Sequence, residues 1–509
     1  MSALRGVLAT VRGVALVGLE PHAIRVEASL ASGLPAFRLV GLPDAAVREA
    51  GDRVRTGLQR SGLVWPGDRL VVNLAPADLP KAGTSFDLPL AIAVMVATGE
   101  VPADAARGVW ACGEVGLDGT VRPVPGLLPV TAGARRFGAP RLFVPELGSG
   151  EAALVDDIEV VPVQDLVEVA AVLRGERRPR VAVPAEIAPA RPGLDLAEVR
   201  GQPLARRAIE LAAAGGHHLL LSGPPGCGKT MLAHRLHGLL PALDIPAAME
   251  VAAVHSLAGE RPPDAPLSLV PPLREPHHSV SSAGLIGGGS GVPRPGELAL
   301  AHHGVLVMDE LLETPRFVLD ALRQPLERGT VVITRSRARV TYPTRVLLVA
   351  ATNPCPCGHL GNPARTCTCR PDRIERYRSR LSGPLLDRLD LQVEVRPVER
   401  SQLTGPADGE TTAAVAARVL TARRRSAARW GSGVLARDAA PDALRRSCRP
   451  VAVRSLADGL ERLGWSARAF DRCLRVARTI ADLAGEDLVD HEHLEEAVAY
   501  RLATLEPIG

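Results

Sequence analysis

The sequence predicts a multi-domain α/β protein, with a phosphate-loop α/β core set between an α+β N-terminal domain and a C-terminal helical domain. Three observations point there. An apolar run at 219–221 leads at once into a glycine-rich loop and then into helical apolar spacing over 231–240, the strand–loop–helix order that a phosphate-binding loop requires. A second apolar run, 304–308, ends in the carboxylate pair Asp309 and Glu310, and a third, 346–352, ends in Asn353. The flanks differ in period: residues 1–175 mix strand-like and helix-like segments, whereas 398–509 carry helical spacing alone.

The totals set the frame. A chain of 509 residues suggests about two to four domains, and 46% hydrophobic content fills several cores. Sixty Lys and Arg against 56 Asp and Glu leave +4, too small a charge to argue for an acidic partner on its own. Arg5 and Arg12 interrupt the apolar N-terminus, so no signal peptide is expected. No run is long enough to span a bilayer, which makes a cytoplasmic protein with no membrane partner the expectation. Aromatics, at 3%, are too sparse for a base-stacking platform of the single-strand-binding kind.

In the N-terminal unit, 1–175, the segments 13–18, 24–29, 37–40 and 70–74 read as strands, and 47–61 and 87–98 as helices. Its distinctive loop is Lys81-Ala-Gly-Thr-Ser85-Phe-Asp87. Together with Gly113-Glu-Val-Gly-Leu-Asp-Gly-Thr-Val-Arg-Pro-Val124, this loop resembles the C-terminal proteolytic domain of Lon. The resemblance implies a Lon-like fold, with Ser85 at the nucleophile's place and a partner lysine just after Pro123-Val-Pro-Gly-Leu127. Leu128 stands there instead, so nothing evident deprotonates the serine and protease activity is not expected. A Pro-, Arg- and Ala-rich stretch over 176–193 reads as a linker.

The central loop is Gly223, Pro224, Pro225, Gly226, Cys227, Gly228, Lys229, Thr230. Its glycines let backbone N–H groups turn inward around a triphosphate, and the helix that follows adds its positive end. Lys229 is expected to reach the β- and γ-phosphates, and Thr230 to bind Mg²⁺. Lys81 and Lys229 are the only lysines in the chain. A planar guanidinium cannot replace a compact ammonium in a phosphate cradle, so Lys229 reads as retained for chemistry. Asp309 is expected to hold Mg²⁺ through water, and Glu310 to orient or deprotonate the attacking water. Asn353 suits a contact to the γ-phosphate or that water; a plain strand-ending turn is the other reading.

Other segments of this core, 194–397, carry a family resemblance. They are Pro276-His-His-Ser-Val-Ser-Ser-Ala-Gly-Leu-Ile-Gly-Gly-Gly-Ser290, Pro293-Arg-Pro-Gly-Glu297, Ala321-Leu-Arg-Gln-Pro-Leu-Glu327, Asn353-Pro-Cys-Pro-Cys-Gly358 and Leu381-Ser-Gly-Pro-Leu-Leu-Asp-Arg-Leu-Asp390. They resemble the magnesium-chelatase-like AAA+ ATPases of the YifB/ComM family, and the resemblance covers nearly the whole chain. Val307-Met308, Leu312 and Thr314 depart from the usual residues without touching a catalytic role. The resemblance implies a ring, usually a homohexamer, that hydrolyses ATP with Mg²⁺. It assigns Arg388 as the arginine finger that reaches the neighbouring subunit's nucleotide, with Arg380 as second choice. Arg468, opening a helix of the lid (398–509), becomes the second sensor. Residues 330–343 become a hairpin in the ring's channel, where Arg335 and Arg337 would meet DNA phosphates, assisted by Arg294 from the glycine-rich insert 287–296. The implied substrate is branched or single-stranded DNA, moved by a helicase or branch-migration motor during recombination of incoming DNA in natural transformation. A chelatase motor subunit and a chaperone-like protein remodeller stay open; the Lon-like fusion favours the DNA reading over the chelatase.

Two features complete the chain. Four of the eight cysteines, Cys355, Cys357, Cys367 and Cys369, lie in one short loop. Thiolates this close can form a tetrahedral Zn²⁺ site; reduced free thiols are the alternative. On the lid helices, Arg423, Arg424 and Arg425 are expected on a solvated face.

Overall fold

The computed structural model describes residues 8–502 except 82, 189–192, 290–291, 336–337, 363–364, 405–408 and 463–465. Alternation of apolar residues builds the first sheet. β1 (Ala9–Val17) turns at Gly18 into β2 (Glu20–Ala31), antiparallel, with Val17 opposite Glu20. β3 (Ala36–Val40) and β4 (Arg69–Ala75) extend one side. β5 (Trp110–Ala111), β6 (Arg141–Pro145) and β7 (Glu159–Val163) extend the other, giving the order β3-β4-β2-β1-β5-β6-β7. Helix α1 (Ala45–Arg60) shows one apolar face, whereas every residue of α2 (Asp87–Ala97) is buried, which is why α2 is apolar all round. Its one charge, Asp87, accepts hydrogen bonds from Arg53 at 2.7 and 2.9 Å, the partner a buried carboxylate needs. Helices and strands are mixed in this unit, as expected, and its sheet is antiparallel only at β1-β2 and β2-β4.

The second sheet is wholly parallel. Its strands are β8 (Leu219–Ser222), β9 (Leu273–Arg274), β12 (Val305–Met308), β15 (Leu347–Thr352) and β16 (Leu391–Glu394), in the order β9-β12-β15-β8-β16. β8, β12 and β15 are buried at every residue, so they read as unbroken apolar runs rather than alternating ones. Two small antiparallel hairpins branch from the core: β10 (Gly287–Gly288) with β11 (Arg294–Pro295), and β13 (Thr330–Thr334) with β14 (Arg339–Pro343).

Helix α4 (Pro203–Gly215) joins the core to the C-terminal helices α8 (Thr412–Trp430), α9 (Pro450–Arg462), α10 (Ala467–Ala484) and α11 (His491–Leu502) through one shared apolar cluster. A buried polar knot reinforces the joint. Asp390, just before β16, pairs with Arg472 of α10, and His217 lies between Asp390 (3.4 Å) and Thr479 Oγ1 (2.8 Å). Burial alone would raise the Asp390 carboxyl; the Arg472 charge and the His217 hydrogen bond outweigh it and hold the group far below the usual carboxylate range. Of the three arginines expected on a solvated face, Arg424 is exposed, whereas Arg423 and Arg425 are partly enclosed. Arg423 donates to the Ala213 carbonyl at 2.6 and 2.9 Å, near the C-terminus of α4, and burial lowers it to about 10. Arg425 pairs with Asp487 at 2.6 Å. A helix end leaves carbonyls in need of donors, and a long arginine stem covers apolar surface on the way.

The N-terminal unit sits against the core through α3 (Leu127–Arg136) and α6 (Ile245–Ala258). Leu128 packs with Ala248, Ala252 and Leu267, and Gly126 N donates to Ser256 O at 3.1 Å. The stretch 176–193, read from sequence as a linker, is laid along its neighbours in its described part. Ala182 and Ala185 N–H groups donate to Val160 O and Gly150 O, each at 2.9 Å, and Ile187–Ala188 pairs in parallel with Leu267–Ser268. Among the described residues no helix is long and apolar enough to cross a membrane.

Candidate active site

β8 ends at Ser222 and the chain wraps immediately around the glycine loop at the C-terminal edge of the parallel sheet, where such folds bind ligands. Gly228 has φ +93°, a conformation that side chains resist, and it opens α5 (Lys229–His237). Lys229 is buried. Its Nζ donates to Gly223 O (2.7 Å), Pro224 O (2.9 Å) and Asn353 Oδ1 (3.1 Å), and burial draws its pKa below the ordinary lysine value. The Thr230 hydroxyl donates to Asp309 Oδ2 at 2.7 Å. The donor set fits a magnesium triphosphate: a cation inside a glycine loop, a helix N-terminus, and a hydroxyl and carboxylate that offer the hard oxygens Mg²⁺ takes. Pro225 and Gly226 form the exposed tip, and Cys227 is buried with its thiol pKa raised by that burial.

Glu310 follows Asp309 in the left-handed region, φ +49°, with its N–H donating to Asp309 Oδ1 at 2.8 Å. Glu310 Oε2 lies 3.0 Å from His278 Nδ1. Asn353, at the end of β15 beside β8, reaches Lys229, so the two strands bring the sensor-like amide to the phosphate loop.

Three arginines predicted to serve a nucleotide sit elsewhere. Arg388 pairs with Glu327 and donates to Pro384 O at 2.7 Å. It precedes β16, whose Leu391 lies opposite Leu219, so it stands at the end of the sheet opposite the chain's own phosphate loop, about 13 Å of strand away. Arg468 is exposed in the first turn of α10. Arg388 foremost, and Arg468 more weakly, hold the Glu327 carboxyl below its ordinary range, so both arginines share one edge. Arg380 donates to Leu312 O at 2.7 Å and pairs with Glu313 at 3.3 Å, next to the loop after Glu310.

The two hairpins pack on each other. Tyr342 of β14 donates to Pro293 O at 2.5 Å, and a Cβ on Gly287 would lie 2.7 Å from Ile333 Cδ1. Arg294 and Arg335 are exposed on this pair. Arg337 lies outside the described residues. Arg339, which begins β14 opposite Thr334, adds a further exposed guanidinium that sequence reasoning did not single out.

The four cysteines of the 355–369 loop converge. Sγ–Sγ separations are 3.4 Å for Cys355–Cys357 and 3.6 Å for Cys355–Cys367 and Cys357–Cys367, and Cys369 Sγ lies within 4.8 Å of all three. Hydrogen bonds from the His359 and Thr368 backbone pull the Cys357 thiol down to about 5. A second cluster, Glu250 with His302 and His303, is different in kind. His302 Nδ1 accepts the Arg345 N–H at 3.0 Å, which puts the proton of a neutral ring on Nε2, facing Glu250 at 3.0 Å. That nitrogen has no lone pair for a metal, and burial keeps the ring neutral by lowering its pKa to about 4.

Comparison with known proteins decides the family. Residues 26–147 match the family described as subunit ChlI of Mg-chelatase, 195–403 the one described as magnesium chelatase, subunit ChlI, and 409–501 its C-terminal counterpart. YifB of Escherichia coli K12 is 41% identical over 500 residues, and competence protein ComM of Haemophilus influenzae 42% over 507, each covering 97% of both chains. The chain belongs to the magnesium-chelatase-like YifB/ComM family. An uncharacterised Mycobacterium tuberculosis protein is 44% identical over 495 residues, 96% of this chain and 97% of its own. Likeness to Lon is partial: Lon protease 2 of Bacillus subtilis is 27% identical over 147 residues, 29% of this chain. Membership of the YifB/ComM family implies an ATPase that uses ATP and Mg²⁺.

Against this family frame, two contacts escaped the sequence reading. His278 lies in the Pro276-His-His-Ser motif, but nothing local says that its ring meets Glu310. Gly358 ends the Asn353-Pro-Cys-Pro-Cys-Gly motif, and a Cβ there would lie 2.6 Å from Pro225 Cδ, so the cysteine loop leans on the phosphate loop. A glycine directly after a cysteine pair was the available signal; its partner was not.

Proposed function

We propose that this YifB/ComM-family chain is the subunit of a ring ATPase, a homohexamer by analogy with its superfamily, that moves on branched or single-stranded DNA. The observation that carries the DNA reading is the packing of the two hairpins, which holds Arg294, Arg335 and Arg339 exposed on one pair of adjoining hairpins. Guanidinium groups aimed at phosphates grip without reading sequence, as a motor needs. Bound MgATP supplies the phosphoryl transfer that drives movement. Lys229 balances phosphate charge, Thr230 and Asp309 hold the metal, Glu310 orients the attacking water, and Asn353 orients the γ-phosphate end. Arg388, with Arg468 beside it, serves the nucleotide of the next subunit; its place at the far end of the sheet supports action in trans. The cysteine loop holds one zinc ion in this reading. The relative named competence protein ComM supports a role in competence, which we read as recombination of incoming DNA.

Replacing Arg294 and Arg335 together by Ala tests the DNA grip. DNA affinity should fall, and the slope of log affinity against log salt should flatten by about two units, while basal ATP hydrolysis is unchanged. Unaltered binding across a salt series would move the weight to a chaperone-like remodeller or a chelatase motor.

A further inference from the structure

The loop 355–369 has little apolar material to hold it: Leu360 is its one large aliphatic side chain. Apolar burial is a weak restraint on residues of such composition against their conformational entropy. The four sulfurs converge instead. Three of their spacings, 3.4–3.6 Å, are close to the edge of about 3.8 Å that Zn–S bonds of about 2.3 Å give a tetrahedron, and Cys369 Sγ lies within 4.8 Å of the other three sulfurs. Backbone N–H groups are aimed at the sulfurs: Leu360 N at Cys355 (3.3 Å), Cys369 N at Cys367 (3.4 Å), His359 and Thr368 N at Cys357, and Cys357 N at Cys369. Donors of this kind stabilise thiolates and orient them on a metal.

The loop is also tied to the ATP site at two points and to a neighbouring helix at a third. Asn353, two residues before Cys355, accepts from Lys229. Pro354 O accepts from Arg378 Nε at 3.2 Å, which fastens the loop's start to α7 (Pro371–Arg378). Gly358, held in a turn by its N–H on Cys355 O (2.9 Å) and at φ +80°, lies against Pro225 at the exposed tip of the phosphate loop. We propose that a zinc ion in the four-cysteine cluster clamps Gly358 and Asn353 onto the phosphate loop and so sets the affinity for ATP. The inference rests on the zinc reading of the four thiols. Zinc here is structural: all four positions are protein thiolates, with no place left for water or substrate. Its influence on ATP passes through Pro225 and Asn353 and involves no contact with phosphate.

The test uses full-length protein purified under reducing conditions, with zinc measured by elemental mass spectrometry and affinity measured with a fluorescent ATP analogue. One zinc per chain is expected, released as a mercurial titrates the four thiols. Stripped protein should bind the analogue about ten-fold more weakly and recover on adding Zn²⁺ alone after reduction. Gly358→Ala keeps all four thiols and provides the second arm, independent of any unfolding on stripping. It should retain zinc and still lose affinity by a similar factor, because its Cβ collides with Pro225. Absence of zinc from freshly purified protein overturns the zinc reading and the clamp with it. Stoichiometric zinc, with affinity in Gly358→Ala unchanged within about two-fold, overturns the clamp and leaves the zinc site standing.

Discussion

At Lys229 a single ammonium is stripped of most of its water and surrounded by two backbone carbonyls and an amide oxygen. Such a group is poised to exchange those weak neutral partners for phosphate oxygens. Lys229→Ala should therefore weaken nucleotide binding and lower ATP turnover roughly 10²-fold or more, measured by equilibrium binding and by phosphate release. Glu310 is held differently. Its carboxylate is half-exposed and bonded to His278, outside the cradle. Glu310→Gln should keep nucleotide affinity while turnover falls roughly 10²-fold; normal turnover in that protein would remove Glu310 from its role. The residues of the cradle were legible in the sequence because loop, lysine and helix are consecutive. The His278–Glu310 and Gly358–Pro225 contacts were not, since each joins segments whose meeting depends on how several strands are ordered, and neither leaves a period in the chain.

Among the elements, α3 shows how a position can change its use. Where a Lon-like site would place a lysine, Leu128 is buried against Ala248 and Ala252 of α6 and fastens the N-terminal unit to the core. The other lysine, Lys81, is fully buried and donates to the Pro76 carbonyl, with burial lowering its pKa. Ser85→Ala is expected to leave ATP hydrolysis and stability unchanged. Leu128→Ala should cost about 2–4 kcal/mol, read by denaturant or thermal unfolding, because it opens a cavity between two packed helices. Peptide hydrolysis that vanishes in Ser85→Ala would contradict this account of α3. Four strands and two helices of this unit were legible in the sequence, but α3, β5, β6 and β7 were not among them. The lie of the described part of 176–193 was not legible either: a composition rich in proline and arginine reads as a linker, and only the hydrogen bonds of Ala182 and Ala185 to Val160 and Gly150 show that part laid along its neighbours. Arg423 likewise reads as surface until the end of α4 is brought beside it.

For the whole molecule, the proposed ring explains why Arg388 and the phosphate loop occupy opposite ends of one sheet: each subunit would offer its finger to one neighbour and its nucleotide to the other. Arg388→Ala should then bind ATP normally yet lose turnover by roughly 10³-fold, and small fractions mixed into unmodified protein should lower activity more than in proportion. Proportional loss on mixing would mean that Arg388 acts only within its own chain, as its ion pair with Glu327 allows. The central claim is a motor on DNA, and the most direct measurement is steady-state ATP turnover of the unmodified protein titrated with branched and single-stranded DNA at low and high salt. The account predicts turnover that rises several-fold with DNA at low salt, with a stimulation that fades as salt releases the phosphate contacts. Turnover that is the same with and without either DNA, in protein that hydrolyses ATP and forms rings, would contradict it.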